Sequence, residues 1–206
     1  MMEVTSLIFF ALTFFLSLPE NYSPMVIIFA VMWAGHYVYR SIVYVLLRSQ
    51  MKSTPLEICL AAICFNTVNG LTNGVTAAQL FSSPWIIAPH PLMVAVGFIL
   101  WLLGFLGNIH SDEVTRGLRK DPKDTSYHIP PPAGLHKYLI SPNYSAEIVE
   151  WLGYCIATGF SPAAIGFLVW TVANLVPRAW ANYKWYIQHF GDRYPKDRKI
   201  LIPFIW

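Results

Sequence analysis

The side chains most able to do chemistry are an acid and a phenol near one end of the chain. Glu3 lies 18 residues before Asn21, where an apolar run turns back, and Tyr37 lies 16 residues after it. At about 1.5 Å per helical residue, the two differ in depth by only about 3 Å. They can therefore meet at one level between two antiparallel helices. A desolvated glutamic acid has its pKa raised and can stay a neutral proton donor. Beside a phenol, it is suited to gripping a carbonyl oxygen and stabilising negative charge that develops there. Tyr37 also sits in the aromatic-rich run Trp33–Tyr44, where packing alone would explain it.

Three polar stripes follow helical spacing. Asn108, Asp112 and Arg116 or Arg119 share one face, Asn143 and Glu147 a second, and Arg178, Asn182 and Tyr186 a third. Amides, carboxylates, a phenol and guanidinium groups could line one polar chamber, and Arg suits phosphate. Solvated helix ends with surface ion pairs are the plainer reading. Glu57 beside Pro55 complements a helix dipole, and Glu150 is a further acid in an apolar run. No G-x-G-x-x-G, P-loop, H-E-x-x-H or G-x-S-x-G occurs. His36, His110 and His128 form no metal pattern, and Cys59, Cys64 and Cys155 lack ligand or disulfide spacing. Neither a metal nor a nucleic-acid partner is expected.

The elements that must carry these residues are membrane helices. Of the 206 residues, 55% are hydrophobic and only 12% charged, and the mean hydropathy is +0.46. Soluble domains carry about 25% charged residues. Apolar runs cover 4–18, 25–47, 56–68, 91–107, 148–159 and 163–176. Several fall short of the about 20 residues a span needs, so polar residues must enter the membrane at their ends, facing other helices or a cavity. The first run lacks the basic flank and cleavage site of a signal peptide and reads as a span. Lys and Arg cluster at 48–52, 116–137 and 178–199, with Arg40 the exception. Six spans then alternate cleanly, with both termini and all three polar stripes on the cytoplasmic side. Ile129-Pro130-Pro131-Pro132-Ala133-Gly134 cannot be regular helix. The expected fold is an all-α bundle of six spans in one domain. Residues 108–143 form a cytoplasmic covering segment and residues 178–206 a cytoplasmic extension.

Several separate motifs, in order, resemble the steroid 5α-reductase family. They are Gly107-Asn108-Ile109-His110-Ser111-Asp112, Leu118-Arg119-Lys120, Ser126-Tyr127-His128-Ile129-Pro130, Asn143 with Glu147-Ile148-Val149-Glu150-Trp151, and Tyr194-Pro195-Lys196-Asp197-Arg198-Lys199-Ile200-Leu201-Ile202-Pro203-Phe204. The likeness is dense over Leu103–Trp206 and looser back through Asn69-Gly70, Arg40 and His36-Tyr37 to Glu3. It implies a monomeric membrane enzyme with NADPH in a cytoplasm-facing cavity. Glu3 and Tyr37 would bind the 3-keto oxygen of a Δ4-steroid while hydride goes to C5 and a proton later to C4. It implies cofactor contacts at Asn108, Asp112, Arg119, Ser126, Tyr127, His128, Asn143, Glu147, Arg178, Asn182 and Tyr186. Arg119 and Arg178 are the expected phosphate ligands on chemical grounds. The family bundle has seven spans, so the first is apparently absent from this chain. Met2 stands where the family usually has Gln, Asn182 where a His is expected, and His128 where an Arg is expected. These departures bear on substrate choice and cofactor affinity.

The short connections suggest a compact, bacterial-type member. The membrane would be the bacterial inner membrane, or the endoplasmic reticulum in a eukaryote. Competing readings are a reductase of another lipid enone or an enoyl thioester, a membrane methyltransferase using S-adenosylmethionine, and a non-catalytic sterol-binding protein. Fold resemblance alone does not choose among them.

Overall fold

The structure, a computed structural model, describes residues 3–47, 54–118 and 126–206. Among them every extended element of regular structure is helical: α1 (Val4–Ser17), α2 (Val26–Leu47), α3 (Leu56–Gln79), α4 (Pro91–Arg116), α5 (Pro142–Ala157) and α6 (Pro162–Phe190). Short 3₁₀ turns occupy Gly134–Lys137 and Gly191–Arg193, and a β-bridge pairs Leu139 with Lys199. The six apolar runs thus all form helices. Pro130-Pro131-Pro132 lies outside helix, as the missing amide donors require.

Four segments are long and apolar enough to cross a bilayer: Val26–Leu47, Leu56–Gln79, Pro91–Arg116 and Pro162–Arg193. The apolar α1 has 14 residues, about 21 Å of helix. The 16 residues of α5 include Asn143, Glu147 and Glu150. By contrast, the 29 residues of α6 extend about 44 Å, well beyond a hydrocarbon core of about 30 Å. The helix runs on through Pro177, so its polar C-terminal third belongs to the same helix as the apolar span.

Two compact units divide the chain: residues 1–99 with 153–167, and residues 100–152 with 168–206. In the first, α1 lies directly on α3. A Cβ at Gly70 would come within 2.6 Å of the Ser6 carbonyl oxygen, so only glycine admits the approach. The Thr13 hydroxyl bonds to the Leu71 carbonyl at 3.2 Å along the same seam. The core of this unit is aromatic. Fully buried Trp33 stacks on Phe10 at 4.8 Å and meets Tyr37, Tyr154 and Phe167 at 5.1–5.4 Å. Large apolar side chains such as Phe15, Leu16, Leu46 and Leu56 face outward, as lipid contact requires.

In the second unit, α4 and α5 meet at Gly104, whose missing side chain leaves room for the backbone of Ala146 and Glu150. Residues 199–201 return to the start of α5. Lys199 N–H donates to the Tyr138 carbonyl and Ile140 N–H to the Lys199 carbonyl, both at 2.8 Å. The Ser145 hydroxyl donates to the Leu201 carbonyl at 2.7 Å. Beneath this seam Ala179, Ile200 and Leu201 form a small core with Tyr144, Ile148, Val176 and Tyr183.

Candidate functional site

In the first unit, Tyr37 is 3% exposed on α2, wedged between Trp33 and His36. Its hydroxyl accepts a bond from Asn69 Nδ2 of α3 at 3.3 Å. Directly after it the helix loosens into a π turn, Tyr39–Val43, a feature frequent at functional sites. The Ser41 hydroxyl donates to the Tyr37 carbonyl across that turn. Arg40, three residues beyond Tyr37, lies 3.9 Å from the Glu3 carboxylate. The head of α1 therefore reaches the Tyr37–Arg40 turn of α2, the level that the sequence spacing gives. The Glu3 side chain is 41% exposed.

The second unit carries the polar stripes. Asn108 and Asp112 are buried on the last turns of α4. Arg116 is drawn to Glu113 on the exposed side of the same helix. Asn143 and Glu147 are half-buried on the first two turns of α5. Asn182 is joined to the residue preceding that helix, its Nδ2 donating to Ser141 Oγ at 3.2 Å. Tyr127 leans on α6, with its ring 4.6 Å from Trp185 and 5.7 Å from His189. Ser126 Oγ and His128 Nε2 lie 2.9 Å apart in the same segment. Tyr186 meets Phe190 and Tyr194 on α6 and just beyond it. Arg178 is exposed, and Arg119 lies outside the described residues.

Burial here also gathers residues that sequence spacing did not single out. His136 Nε2 donates to the Ser111 carbonyl at 3.2 Å, and Arg198 Nη2 donates to the Pro130 carbonyl at 2.8 Å. Burial holds the His136 pKa below its ordinary value against that backbone bond, and the charges of Arg198 and His110 add to the lowering. Burial likewise pushes the Tyr194 phenol up to about 12, although the neighbouring Arg198 opposes it. In the first unit Asn69 enters only through the Asn69-Gly70 resemblance, and spacing gives neither it nor Asn73 a role. Their signal is an amide repeated at helical steps, Asn66, Asn69 and Asn73, from near the end of the apolar run 56–68 onward.

The chemistry of the second unit fits a dinucleotide. Asn108 is 2% exposed, and its Oδ1 has no partner among the described residues. A buried unmet acceptor is costly unless a bound donor satisfies it. Carboxylates for ribose hydroxyls, amides for a carboxamide, aromatic faces for stacking and Arg178 for phosphate complete a suitable set. No cluster of His, Cys, Asp or Glu suited to a metal occurs among the described residues.

Helices of this length and apolarity, with buried amides and acids on them, define an integral membrane protein built to hold polar groups inside its bundle. A family model described as 3-oxo-5-alpha-steroid 4-dehydrogenase matches residues 52–206. The 3-oxo-5-alpha-steroid 4-dehydrogenase 1 of Macaca fascicularis is 40% identical over 192 residues, covering 92% of this chain and 70% of that protein. The human protein of the same name is 39% identical, with 92% and 71% covered. The steroid 5-alpha-reductase DET2 of Solanum lycopersicum is 38% identical over 196 residues, with 92% and 73% covered. The chain belongs to the 3-oxo-5-alpha-steroid 4-dehydrogenase family.

Proposed function

We propose that this protein reduces the Δ4 double bond of a 3-oxosteroid to the 5α-3-oxosteroid, using NADPH. When bound, NADPH supplies the hydride that goes to C5. The chain's own residues prepare the acceptor. Tyr37 donates its phenolic proton toward the 3-keto oxygen, and Glu3, covered from water by the steroid, does the same from the other side. Both interactions strengthen as negative charge gathers on that oxygen, so they favour the transition state over the bound substrate. A proton then reaches C4. Asn108, Asp112, Asn143, Glu147, Asn182 and Tyr186, with Ser126, Tyr127 and His128, would hold the nucleotide, and Arg119 and Arg178 its phosphates. In this reading 108–143 covers the cofactor, 178–206 extends beside it, and the cofactor side faces the cytoplasm, as the Lys and Arg distribution favours.

The observation that supports this reading most is the meeting of Glu3 with the Tyr37–Arg40 turn, with the Arg40 guanidinium 3.9 Å from the acid. It supports an approach of the acid at the head of α1 to the turn of α2 that carries the buried phenol. The test is a product assay on detergent-purified protein with NADPH and testosterone or progesterone, read by mass spectrometry. Gain of two hydrogens with 5α stereochemistry is expected. NADPH binding without steroid product would redirect the assignment to another lipid enone. S-adenosylmethionine binding without NADPH binding would overturn it.

A further inference from the structure

We propose that residues 202–206, with Tyr138 and Trp180 beside them, form an interfacial anchor that takes the headgroup layer of anionic phospholipid. None of its residues belongs to the proposed reaction.

The segment closes on itself. Leu201 and Ile202 N–H both donate to the Trp206 main-chain oxygen, at 2.9 and 2.6 Å. Ile205 and Trp206 N–H donate to the Ile202 carbonyl, at 3.1 and 3.0 Å. Pro203 has no amide to satisfy. Backbone bonded in this way can enter a layer poor in water. Phe204 holds φ at +67°, a left-handed conformation that is strained for a bulky residue. That turn leaves Phe204 76% and Ile205 75% exposed, with Ile202 exposed beside them. Strain that displays apolar side chains is unfavourable in water and is offset where hydrocarbon meets them.

The depth of the segment follows from α6. Trp206 stacks on Trp180, with centroids 6.3 Å and planes 12° apart. Ile200 and Leu201, just before the segment, share their small core with Val176 and Ala179. The apolar run of α6 ends at Val176, and Trp180 lies four residues on, about 6 Å along the helix. Headgroups occupy about 5–8 Å outside the hydrocarbon. Trp206 therefore stands at the level where Trp and Tyr gather in membrane proteins. On its other side the segment meets Tyr138, whose ring is 5.2 Å from that of Phe204.

Charge selects the lipid. Exposed Lys184 holds its Nζ 5.4 Å from the Trp180 ring centre, and exposed Lys137 holds its own 5.4 Å from that of Tyr138. Lysines whose stems lie along aromatic rings at this depth present their ammonium groups to phosphate. Residues 178–206 hold six Lys and Arg against two Asp, and Lys196 takes up one of these, Asp192. This balance favours anionic over neutral headgroups. A second copy docked on the same patch would set these lysines against their equivalents, which like charge disfavours.

The test places the whole chain in nanodiscs of phosphatidylcholine, alone or mixed with phosphatidylglycerol. Phosphatidylglycerol is expected to raise Tm by about 4–8 °C. The double variant Lys137→Ala/Lys184→Ala should lose that gain, with its Tm in phosphatidylcholine unchanged. No gain in wild type, or a full gain in the double variant, would overturn the proposal. Phosphatidylcholine brominated near its headgroup reads depth separately. Part of the quenched tryptophan emission should vanish in Trp206→Phe. A quenched fraction that Trp206→Phe leaves intact would place the segment outside the bilayer and overturn the proposal. A dimer in native mass spectra that Phe204→Ser dissociates would also overturn it, by assigning the patch to a second copy.

Discussion

Gly104 of α4 and Glu150 of α5 meet backbone against backbone. A methyl group on Gly104 would stand 2.6 Å from the Glu150 Cα and 2.7 Å from the Ala146 carbonyl oxygen. Main-chain atoms in helices cannot swing aside. Gly104→Ala should therefore destabilise the protein by about 1–3 kcal/mol through overpacking. Thermal unfolding in detergent should show a fall of several degrees, since each kcal/mol shifts Tm by about 2–4 °C at this size. NADPH should weaken as well, because Asn108 lies one turn further along the same helix. An unchanged Tm would mean that the two helices separate without cost.

Glu3→Gln and Tyr37→Phe should each lower kcat by about 10²-fold, the scale on which a donor to a developing oxyanion counts. NADPH affinity should be largely preserved in both. Steady-state kinetics and cofactor fluorescence check this together. Wild-type turnover in Glu3→Gln would remove the acid from the mechanism.

Asn108→Ala should act in opposite directions on the free and loaded protein. Removing a buried oxygen that lacks a partner among the described residues should leave the free protein as stable or slightly more so. The loaded protein should lose a hydrogen bond, weakening NADPH by roughly three- to tenfold. Melting curves with and without NADPH separate the two effects. Equal destabilisation of both forms would make Asn108 structural.

Arg119→Ala and Arg178→Ala should weaken NADPH more than NADH if either guanidinium reads the extra phosphate. Binding titrations with both nucleotides decide it. An equal loss for the two would assign a general structural role.

His136 predicts an acid sensitivity. Its folded pKa lies below the ordinary 6.5, chiefly through burial. The unfolded chain therefore binds a proton that the folded chain refuses. The stability involved is fully present above pH 6.5 and is lost as pH falls toward the folded value. His136→Phe should flatten the decline of Tm between pH 7.5 and 5.5. A decline as steep as that of wild type would place the acid-sensitive group elsewhere.

Helices were legible in the sequence because apolar runs and their Pro-rich breaks are local. The spacing of the polar stripes is local too, since four-residue steps on one helix share a face whatever surrounds them, but what those faces bind does not follow from spacing. The level shared by Glu3 and the Tyr37–Arg40 turn followed from counting residues to a turn. What counting could not supply was the partner across helices. Asn182 with Ser141 spans 41 residues, and Arg198 with Pro130 spans 68. Asn69 stands just past the apolar run 56–68, yet only the fold brings its amide to Tyr37. Arg116 fits the face of Asp112 by spacing, but Glu113, three residues before it, draws it outward.

The return of residues 199–201 to the start of α5 also dictates an order of events during synthesis. Ile140 N–H has its acceptor in a stretch made more than fifty residues later, after the whole of α6, and the Ser145 hydroxyl, which also reaches the Ser141 carbonyl, finds its shorter bond there. Until that stretch emerges, these elements of the second unit must wait with an open seam. A lesion that removes Lys199–Leu201 would then leave these elements in that immature state, visible to quality control as an unfinished membrane protein.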